Sequence, residues 1–424
     1  MFTIMKKLKL AIVSPYPPGK GTLNEYAYHL VDKFVNKEDI AKLTVIAEKL
    51  DADLSYPQGE ENSKLEFDPC WSFNSYTNLF SILKSVRKSG ADIVLFNIHF
   101  LSFGDKKIPA ALGLLLPFIL KLMGVKTVVL LHNIIESVDL DAAGITKSKL
   151  LTKIFKFTGT VLTRFILSAD LVAVTLSQYV DILREKYKAD NVALIPHGTF
   201  DIPLKPEVRT KASEKTIMTF GKFGTYKKVE HLIDSVIGLR KRVDQKIKLV
   251  IAGTDNPNVK GYLESVQNKY HDVKDIIFTG YVEEEDVPDT FLDSDVVVFP
   301  YTSTTGSSGV LHQAGSFGRA CVIPNIGDLK ELIEEEGYTG EYFDPFDQTS
   351  LENAIYNLIT DDKRRFLNAE QNYNAACGLP LDDIADWYLL HFSALTGNDQ
   401  RKPGRQFNNK RKIEIEKRLT ASLV

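Results

Sequence analysis

Residues 304–314 (Thr-Thr-Gly-Ser-Ser-Gly-Val-Leu-His-Gln-Ala) form a stretch of small polar residues that follows an apolar segment, residues 295–300. An apolar strand, small residues whose hydroxyls can cap a helix, and a further apolar stretch predict strand, tight loop and helix. The first N–H groups of a helix have no partner within it, and the helix dipole adds to their attraction for an anion. An ordinary turn of an α/β protein is the competing interpretation. We predict that a phosphate binds to the backbone of four residues: Ser307, Ser308, Gly309 and Val310.

A second turn, residues 220–228, carries three lysines around two glycines. Lys222 and Lys227 could neutralise a diphosphate, although an ammonium is a point charge and does not grip two oxygens as an arginine does. One cation beside a developing phosphate charge supplies about 3–4 kcal/mol, so losing either lysine should slow a transfer about a hundredfold. A solvated basic loop is the competing interpretation. Together the two turns outline a cradle for a nucleotide diphosphate.

Apolar strands and helical patterns alternate along the chain and would position both turns. In the first half, the predicted strands are residues 8–13, 43–47, 93–97, 128–131, 171–174 and 192–195. After a polar linker, residues 207–215, the series restarts with strands 216–220, 248–252, 276–278, 296–299 and 320–324. Continuous apolar strands separated by helices predict parallel sheets covered on both faces. We therefore predict an α/β chain of two Rossmann-like, doubly wound domains, with ligands beyond the carboxyl ends of the strands in an interdomain cleft.

The composition fits two hydrophobic cores and gives no sign of a nucleic-acid partner, a disulfide framework or a transmembrane segment. Of 424 residues, 44% are hydrophobic and 25% charged, which is ordinary for a soluble globular protein of two or three domains. The net charge of −3 gives no reason to expect a nucleic-acid partner. Three widely spaced cysteines fit a reducing compartment, so cytoplasm is the expected location. The longest uncharged run, residues 108–120, is too short to span a bilayer, and we predict a buried helix over residues 108–123.

Two tandem Rossmann-like domains with these motifs resemble glycosyltransferases of the B fold (GT-B), in particular the retaining family-four group, over residues 8–395. The glycine-rich loop Ser-Pro-Tyr-Pro-Pro-Gly-Lys-Gly, which contains Gly19 and Gly21, matches the family loop that faces the donor phosphate and the acceptor. His132 follows a predicted strand and resembles the family histidine that hydrogen-bonds the donor sugar. Residues 195–198 (Ile-Pro-His-Gly) resemble the family's Ile-Pro-Asn-Gly turn and are interpreted as a hinge. A plain surface turn and a structural histidine are the competing interpretations of the first two motifs.

The lysine turn resembles the family's Gly-Arg-Leu motif followed by a lysine five residues after the arginine. The resemblance implies that Lys222 and Lys227 act in catalysis with His132. The family also carries two glutamates separated by seven residues, but Thr305 and Gln313 stand at those positions. A glutamine can still hydrogen-bond ribose hydroxyls. The resemblance implies that the donor binds to Gly19, Gly21, Thr305, Ser307, Ser308, Gly309, Val310 and Gln313.

The resemblance implies a hexosyltransferase that moves a sugar from a nucleotide-diphosphate sugar to a hydroxyl of a glycan or lipid-linked acceptor. Transfer would retain the anomeric configuration and serve polysaccharide or glycoconjugate biosynthesis. No cofactor beyond the donor substrate is implied, and no metal, because lysines and a helix terminus supply the positive charge. The implied divisions are an acceptor-side domain (1–202), a nucleotide-sugar domain (203–377), a terminal helix crossing back to the first domain (378–397) and a basic tail (398–424).

Loss of both glutamates leaves other functions open. A non-catalytic protein of this fold could bind a nucleotide sugar or a partner transferase. A nucleotide-sugar epimerase would pair the same two domains, but it would need cleft carboxylates that these motifs do not supply. Residues 146–164 combine five basic residues with apolar ones, which favours either a helix at the inner face of an anionic membrane or a helix packed on the first sheet.

Overall fold

The computed structural model describes residues 7–19, 21–57, 64–136, 149–204, 214–256, 259–303 and 306–397, with the side chains of 149–156 left out. The chain divides into two compact units. The described residues of the first unit fall within Met1–Ser137, Lys149–Pro196 and Leu381–Val424, and those of the second within His197–Pro380.

The first unit is built on a seven-stranded sheet. Its strands are β1 (Leu8–Val13), β2 (Ile40–Ile46), β3 (Leu65–Phe67), β4 (Ile93–Ile98), β5 (Lys126–Leu131), β6 (Leu171–Val174) and β7 (Val192–Leu194). The helices between them are α1 (Asn24–Asn36), α2 (Asn78–Ser89), α3 (Lys107–Leu114), α4 (Leu116–Leu122), α5 (Lys149–Ile166) and α6 (Ser177–Tyr187). All neighbouring strands are parallel, in the order β3-β2-β1-β4-β5-β6-β7. Every residue of β4 is buried, as expected of a strand covered on both faces.

The second unit repeats this arrangement on a six-stranded sheet. Its strands are β8 (Glu214–Phe223), β9 (Lys246–Asp255), β10 (Ile276–Gly280), β11 (Val296–Val298), β12 (Ala320–Pro324) and β13 (Glu341–Phe343). Its helices are α7 (Glu230–Leu239), α8 (Tyr262–Lys269), α9 (Val287–Leu292), α10 (Gly309–Ser316), α11 (Gly327–Glu336), α12 (Gln348–Thr360) and α13 (Asp362–Cys377), with a 3-10 turn at Glu284–Asp286. The parallel order is β10-β9-β8-β11-β12-β13. The predicted pair of Rossmann-like parallel sheets is therefore confirmed.

Helix α14 (Leu381–Thr396) follows the second unit in the chain but belongs to the first. Its Phe392 ring lies 5.9 Å from the ring of Phe34 on α1, and both side chains are fully buried. Lys37, directly after α1, forms an ion pair of 2.7 Å with Asp386 of α14. The last described helix thus covers an apolar face of the first.

Both sheets reverse their strand order at one point. The reversal lies between β1 and β4 in the first sheet and between β8 and β11 in the second. In open parallel sheets the crevice beyond the carboxyl ends of the strands at this point receives ligands. The glycine-rich loop follows β1, the lysine turn begins in the last residues of β8, and the serine-glycine turn follows β11, so all three predicted motifs lie at the carboxyl ends of strands that flank a reversal point.

Strands β8 and β9 approach each other closely near their carboxyl ends, at Gly221 and Gly253. Gly221 and Gly253 are paired in register and have φ angles of 135° and 132°, which L side chains rarely adopt. A Cβ on Gly253 would lie 1.9 Å from the carbonyl oxygen of Gly221. Glycine is therefore required here for the strands to continue to the lysine turn.

Two predictions about local structure are wrong. The single helix predicted over residues 108–123 is two helices, α3 and α4, because Pro117 has no N–H to donate to the preceding turn. The predicted linker 207–215 is two residues too long, because β8 already begins at Glu214. That residue pairs with Lys246 of β9. Among the described residues, no helix is long and apolar enough to cross a bilayer.

Candidate functional site

Lys227 lies at the carboxyl edge of the second sheet, beside the point where the strand order reverses. It pairs in an antiparallel bridge with Tyr301, which follows β11, and its Nζ lies 4.5 Å from the centroid of the Tyr301 ring. A Cβ on Gly221 would lie 3.2 Å from the same Nζ. Because Gly221 has no side chain, there is room beside it for the Lys227 ammonium group. The Tyr301 ring stabilises this ammonium by a cation–π contact.

Tyr301 connects Lys227 to the start of α10. Its side chain is only 3% exposed, and burial raises the pKa of its phenol well above the ordinary value. The hydroxyl is buried and makes no hydrogen bond with the described residues, and the Ser308 side chain lies near it. One tyrosine therefore lies next to both predicted phosphate-binding turns, with the Lys227 ammonium over its ring and Ser308 near its hydroxyl.

Helix α10 begins at Gly309, as the sequence predicts, but its cap differs from the prediction. Ser308 precedes the helix in extended conformation, and its hydroxyl makes no capping hydrogen bond. The N–H of Leu311 donates to the Ser308 carbonyl over 3.0 Å, which is the first bond of the helix. The N–H groups of Gly309 and Val310 come before this bond and belong to the helix terminus that suits an anion.

The remaining predicted residues of the second unit are Lys222, Gln313 and Thr305. Lys222 is the penultimate residue of β8, partly buried and paired in register with Thr254. Gln313 lies within α10 and is 7% exposed. Thr305 lies outside the described residues. Gly306, the next residue, donates its N–H to Asp328 of α11 over 2.8 Å, so a carboxylate that sequence reasoning missed anchors the turn.

Sequence reasoning also missed a group of buried polar side chains behind α10. His312, 2% exposed, has its Nε2 3.2 Å from the Ser307 hydroxyl and its Nδ1 3.0 Å from the Tyr338 hydroxyl. The ring of His197 stacks on that of His312, with centroids 4.8 Å apart. Burial, and then the neighbouring His197, lower the pKa of His312 well below the ordinary value, so its ring is neutral. The only signal in the sequence is a histidine on the core-facing side of a predicted helix.

In the first unit, the glycine-rich loop packs against a carboxylate. The N–H of Gly21 points at Glu48 Oε1, 3.4 Å away, and a Cβ on Gly19 would lie 2.1 Å from the same oxygen. Asn24, at the start of α1, donates from its side chain to the Gly19 carbonyl over 2.7 Å. A carboxylate beside the loop repels a phosphate and accepts hydrogen bonds from hydroxyls, so this loop suits a sugar better than a diphosphate.

His132 joins the carboxyl ends of three adjacent strands. Its Nε2 lies 2.6 Å from Asn97 Oδ1, and the Asn97 amide donates to the Ser14 hydroxyl over 2.9 Å. Since the amide oxygen accepts, the ring carries its proton on Nε2. Tyr26 of α1 packs edge-on against the ring, with centroids 4.9 Å apart. The first unit thus brings His132 and the residue that begins the glycine-rich loop into one hydrogen-bonded group.

A cavity of about 450 Å³ also opens at the carboxyl edge of the second sheet. Pro300, Phe343 and Leu351 give it apolar walls, while Lys228 and other charged side chains of both signs line it. Its volume is that of a small-molecule site. Tyr301 lines it too, so this ring borders both the cavity and the ammonium of Lys227.

One acidic group in the first unit has the spacing of metal ligands. The carboxylate oxygens of Asp382, Asp383 and Asp386 lie within 4.8 Å of one another. Lys37 forms ion pairs with Asp382 and Asp386, at 2.9 and 2.7 Å. The lysine already supplies positive charge, so this group is better described as an ion-pair cluster between α1 and α14.

Comparison with known proteins finds a family model that matches part of the second unit. Residues 214–361 match the family model described as glycosyl transferases group 1. The match spans β8 to α12 and includes both turns that the sequence predicts to bind phosphate. None of the curated proteins matches the sequence.

Solved structures resemble the chain over nearly its whole length. Sucrose-phosphate synthase from Thermosynechococcus elongatus has a TM-score of 0.71 at 16% identity, covering 92% of this chain and 99% of its own. HepE from Anabaena, solved with UDP-glucose, has a TM-score of 0.64 at 14% identity, covering 91% and 100%. WaaG, a glycosyltransferase involved in lipopolysaccharide biosynthesis, has a TM-score of 0.62 at 15% identity, covering 92% and 100%. At these identities the likeness establishes the fold, which is that of GT-B glycosyltransferases.

Proposed function

Because residues 214–361 match the family model of glycosyl transferases group 1 and the chain has the GT-B fold, we propose that this protein transfers a hexose from a nucleotide-diphosphate sugar to an acceptor hydroxyl. The acceptor would be a glycan or a lipid-linked sugar, and the product part of a polysaccharide or glycoconjugate. The observation that carries the proposal is the position of Tyr301 next to both Lys227 and Ser308 at the reversal point of the second sheet. That HepE has been solved with UDP and with UDP-glucose supports a nucleotide sugar as the donor.

The second unit would stabilise the leaving diphosphate. The N–H groups at the start of α10 bind one phosphate, and Lys227, with Lys222 at the end of β8, neutralises the charge that develops as the bond to the sugar breaks. The bond from the anomeric carbon to the phosphate oxygen breaks, and the acceptor oxygen forms the new bond to that carbon. The acceptor proton passes to the departing phosphate. Attack from the face that the diphosphate leaves would retain the anomeric configuration without a protein nucleophile.

The first unit would hold the sugars. We propose that His132, with its ring fixed by Asn97, hydrogen-bonds the donor sugar. The glycine-rich loop, with Gly19 and Gly21 packed on Glu48, would face the hydroxyls of the acceptor or of the transferred sugar. Gln313, and Thr305 at the family's other glutamate position, would replace carboxylates with neutral hydrogen-bonding groups on the donor side.

Two further proposals concern conditions and location. Positive charge from lysines and from a helix start would make transfer independent of divalent metal, and activity measured with and without EDTA tests this. The protein would act in the cytoplasm, at the inner face of a membrane, through the basic helix α5, where Phe157 is 71% exposed. Sedimentation with anionic and neutral vesicles tests the second proposal, and the residues 398–424 that could assist it lie outside the described part of the chain.

The first experiment is a thermal-shift screen of the protein with UDP, GDP, ADP, CMP and their common sugar conjugates. A ligand that binds only the folded protein raises its melting temperature. We expect one nucleoside diphosphate to raise it in the wild type and not in Lys227→Met. The matching nucleotide sugar is then incubated with the protein, and release of the diphosphate is measured with and without glycan acceptors.

The replacement of both family glutamates favours one other function, a non-catalytic protein that binds a nucleotide sugar or a partner transferase. Binding without hydrolysis or transfer of the sugar would support that function. Reversible isomerisation of the donor without an acceptor would instead indicate an epimerase. If none of the nucleotides shifts the melting temperature, the donor site proposed here does not exist.

A further inference from the structure

His312 connects the predicted phosphate-binding turn to the interior of the second unit. Its Nε2 faces the Ser307 hydroxyl at 3.2 Å, and Ser307 is the second residue before the helix start. Its Nδ1 faces the Tyr338 hydroxyl at 3.0 Å and a carboxylate oxygen of Glu336 at 3.5 Å. His197 covers one face of the ring. These four groups surround the imidazole, and Ser307 is the one of them that lies in the turn.

The surroundings of Nδ1 decide which ring nitrogen carries the proton. A neutral imidazole has one N–H donor and one acceptor nitrogen. Burial raises the pKa of Glu336 well above the ordinary value, which favours the neutral acid, and a neutral carboxyl group 3.5 Å from Nδ1 can donate its proton there. The Tyr338 phenol, whose pKa is also raised by burial, keeps its proton and can donate it. Two groups that can each donate a proton therefore face Nδ1, which favours the tautomer with Nδ1 as acceptor and the hydrogen on Nε2.

This tautomer fixes the direction of the Ser307 hydroxyl. With its proton on Nε2, His312 donates to Ser307 Oγ, so the hydroxyl proton cannot be used toward the histidine. It is then available to an acceptor on the other side, where the turn meets the start of α10. With the opposite tautomer the hydroxyl would donate inward to His312, and only oxygen lone pairs would face an anion.

We propose that His312 is a positioning residue that orients the Ser307 hydroxyl to donate its proton to a phosphate oxygen at the start of α10. The inference rests on the proposed function, because it adds a side-chain donor to the same phosphate site. In this proposal the Tyr338 hydroxyl donates to Nδ1 and so stabilises the required tautomer of His312. A hydrogen bond to a charged oxygen is among the stronger ones in proteins, so its loss should be measurable as weaker binding.

The test is a double-mutant cycle on His312 and Ser307, with binding of the nucleoside diphosphate found by the screen and of inorganic pyrophosphate measured by calorimetry. We expect His312→Leu and Ser307→Ala each to weaken binding about tenfold. The double variant should be no weaker than either single one, because both changes remove the same bond. His312→Gln, whose amide can reach the position of Nε2, should restore most of the affinity, whereas the shorter His312→Asn should not. Melting temperatures of all variants separate this effect from loss of folding.

The results distinguish the inference from the function on which it rests. If the wild type binds neither probe, both are refuted. If the wild type binds but the two single effects multiply in the double variant, or His312→Leu binds as the wild type does, only the inference is refuted. A ligand-independent measurement is the long-range ¹H–¹⁵N spectrum of the protein labelled with ¹⁵N-histidine. The proposal requires the Nε2–H form of His312 at neutral pH, and the Nδ1–H form would overturn it.

Discussion

Replacing Lys227 by methionine removes the ammonium and keeps most of the aliphatic stem that packs on Tyr301. Two unit charges 4 Å apart attract by about 4 kcal/mol at an effective dielectric constant of about 20, and by about 1 kcal/mol in water. Lys227 is partly buried and its Nζ lies 4.5 Å from the centre of a fully buried ring, which places it between these limits. A loss of about 2–3 kcal/mol of transition-state stabilisation corresponds to transfer that is about 30- to 150-fold slower.

The assay is kcat/KM for the donor identified by the thermal-shift screen, measured at low and at physiological salt. Lys227→Arg retains the charge, so the factor by which it lowers kcat/KM should be less than a tenth of the factor for Lys227→Met. The matched control is Lys241→Met, which removes an exposed ammonium just beyond the far end of α7 and should leave kcat/KM unchanged. Equal rates for Lys227→Met and Lys241→Met, in proteins of equal melting temperature, would show that Lys227 does not contact the leaving group.

Three further predictions concern stability and reactivity. Gly253→Ala should cost about 3 kcal/mol of unfolding free energy or prevent folding, since its Cβ would meet the Gly221 carbonyl, whereas Gly90→Ala, with open space around it, should cost about 1 kcal/mol; urea titration measures both. Burial lowers the pKa of His99 to about 4, so protonation of this residue should cost the folded state up to about 3 kcal/mol as pH falls from 6.5 to 4, and His99→Asn should remove this contribution to the slope of unfolding free energy between pH 7 and 5 while the buried His312 keeps its own. The Cys321 thiol, fully buried and with its pKa raised by burial, should react with a disulfide reagent at pH 8 only after unfolding; rapid reaction of the native protein would contradict its placement.

Most of the fold could be predicted because its central strands are buried on both faces and read as continuous apolar runs. The strands that escaped prediction, β3 and β13, have three residues each and lie at sheet edges, where Leu-Glu-Phe and Glu-Tyr-Phe leave polar groups facing solvent. Helix α13 escaped as well, because its sequence is largely polar and its apolar stripe is thin. Length and polarity of an element, more than its position in the chain, determined whether it could be recognised.

The candidate site was predictable only in those parts that are local in the chain. The glycines and lysines at the end of a predicted strand drew attention to Lys227, and the small residues before an apolar stretch indicated where α10 begins. Partners from other segments could not be found. Asp328 reaches Gly306 from 22 residues away, and Glu48 reaches Gly21 from 27 residues away. Local spacing shows where a loop begins, but the groups that hold it come from neighbouring strands and helices.

Helix α14 has a consequence for the order in which the protein acquires its structure during synthesis. The described residues of the second unit all fall within His197–Pro380, so this part of the chain can fold as soon as it has left the ribosome. The first unit contains the earliest residues, yet its α1 face around Phe34 stays uncovered until Phe392 has emerged. The unit that begins first therefore finishes last, and in nascent chains that stop before α14 we expect an exposed apolar surface that chaperones bind.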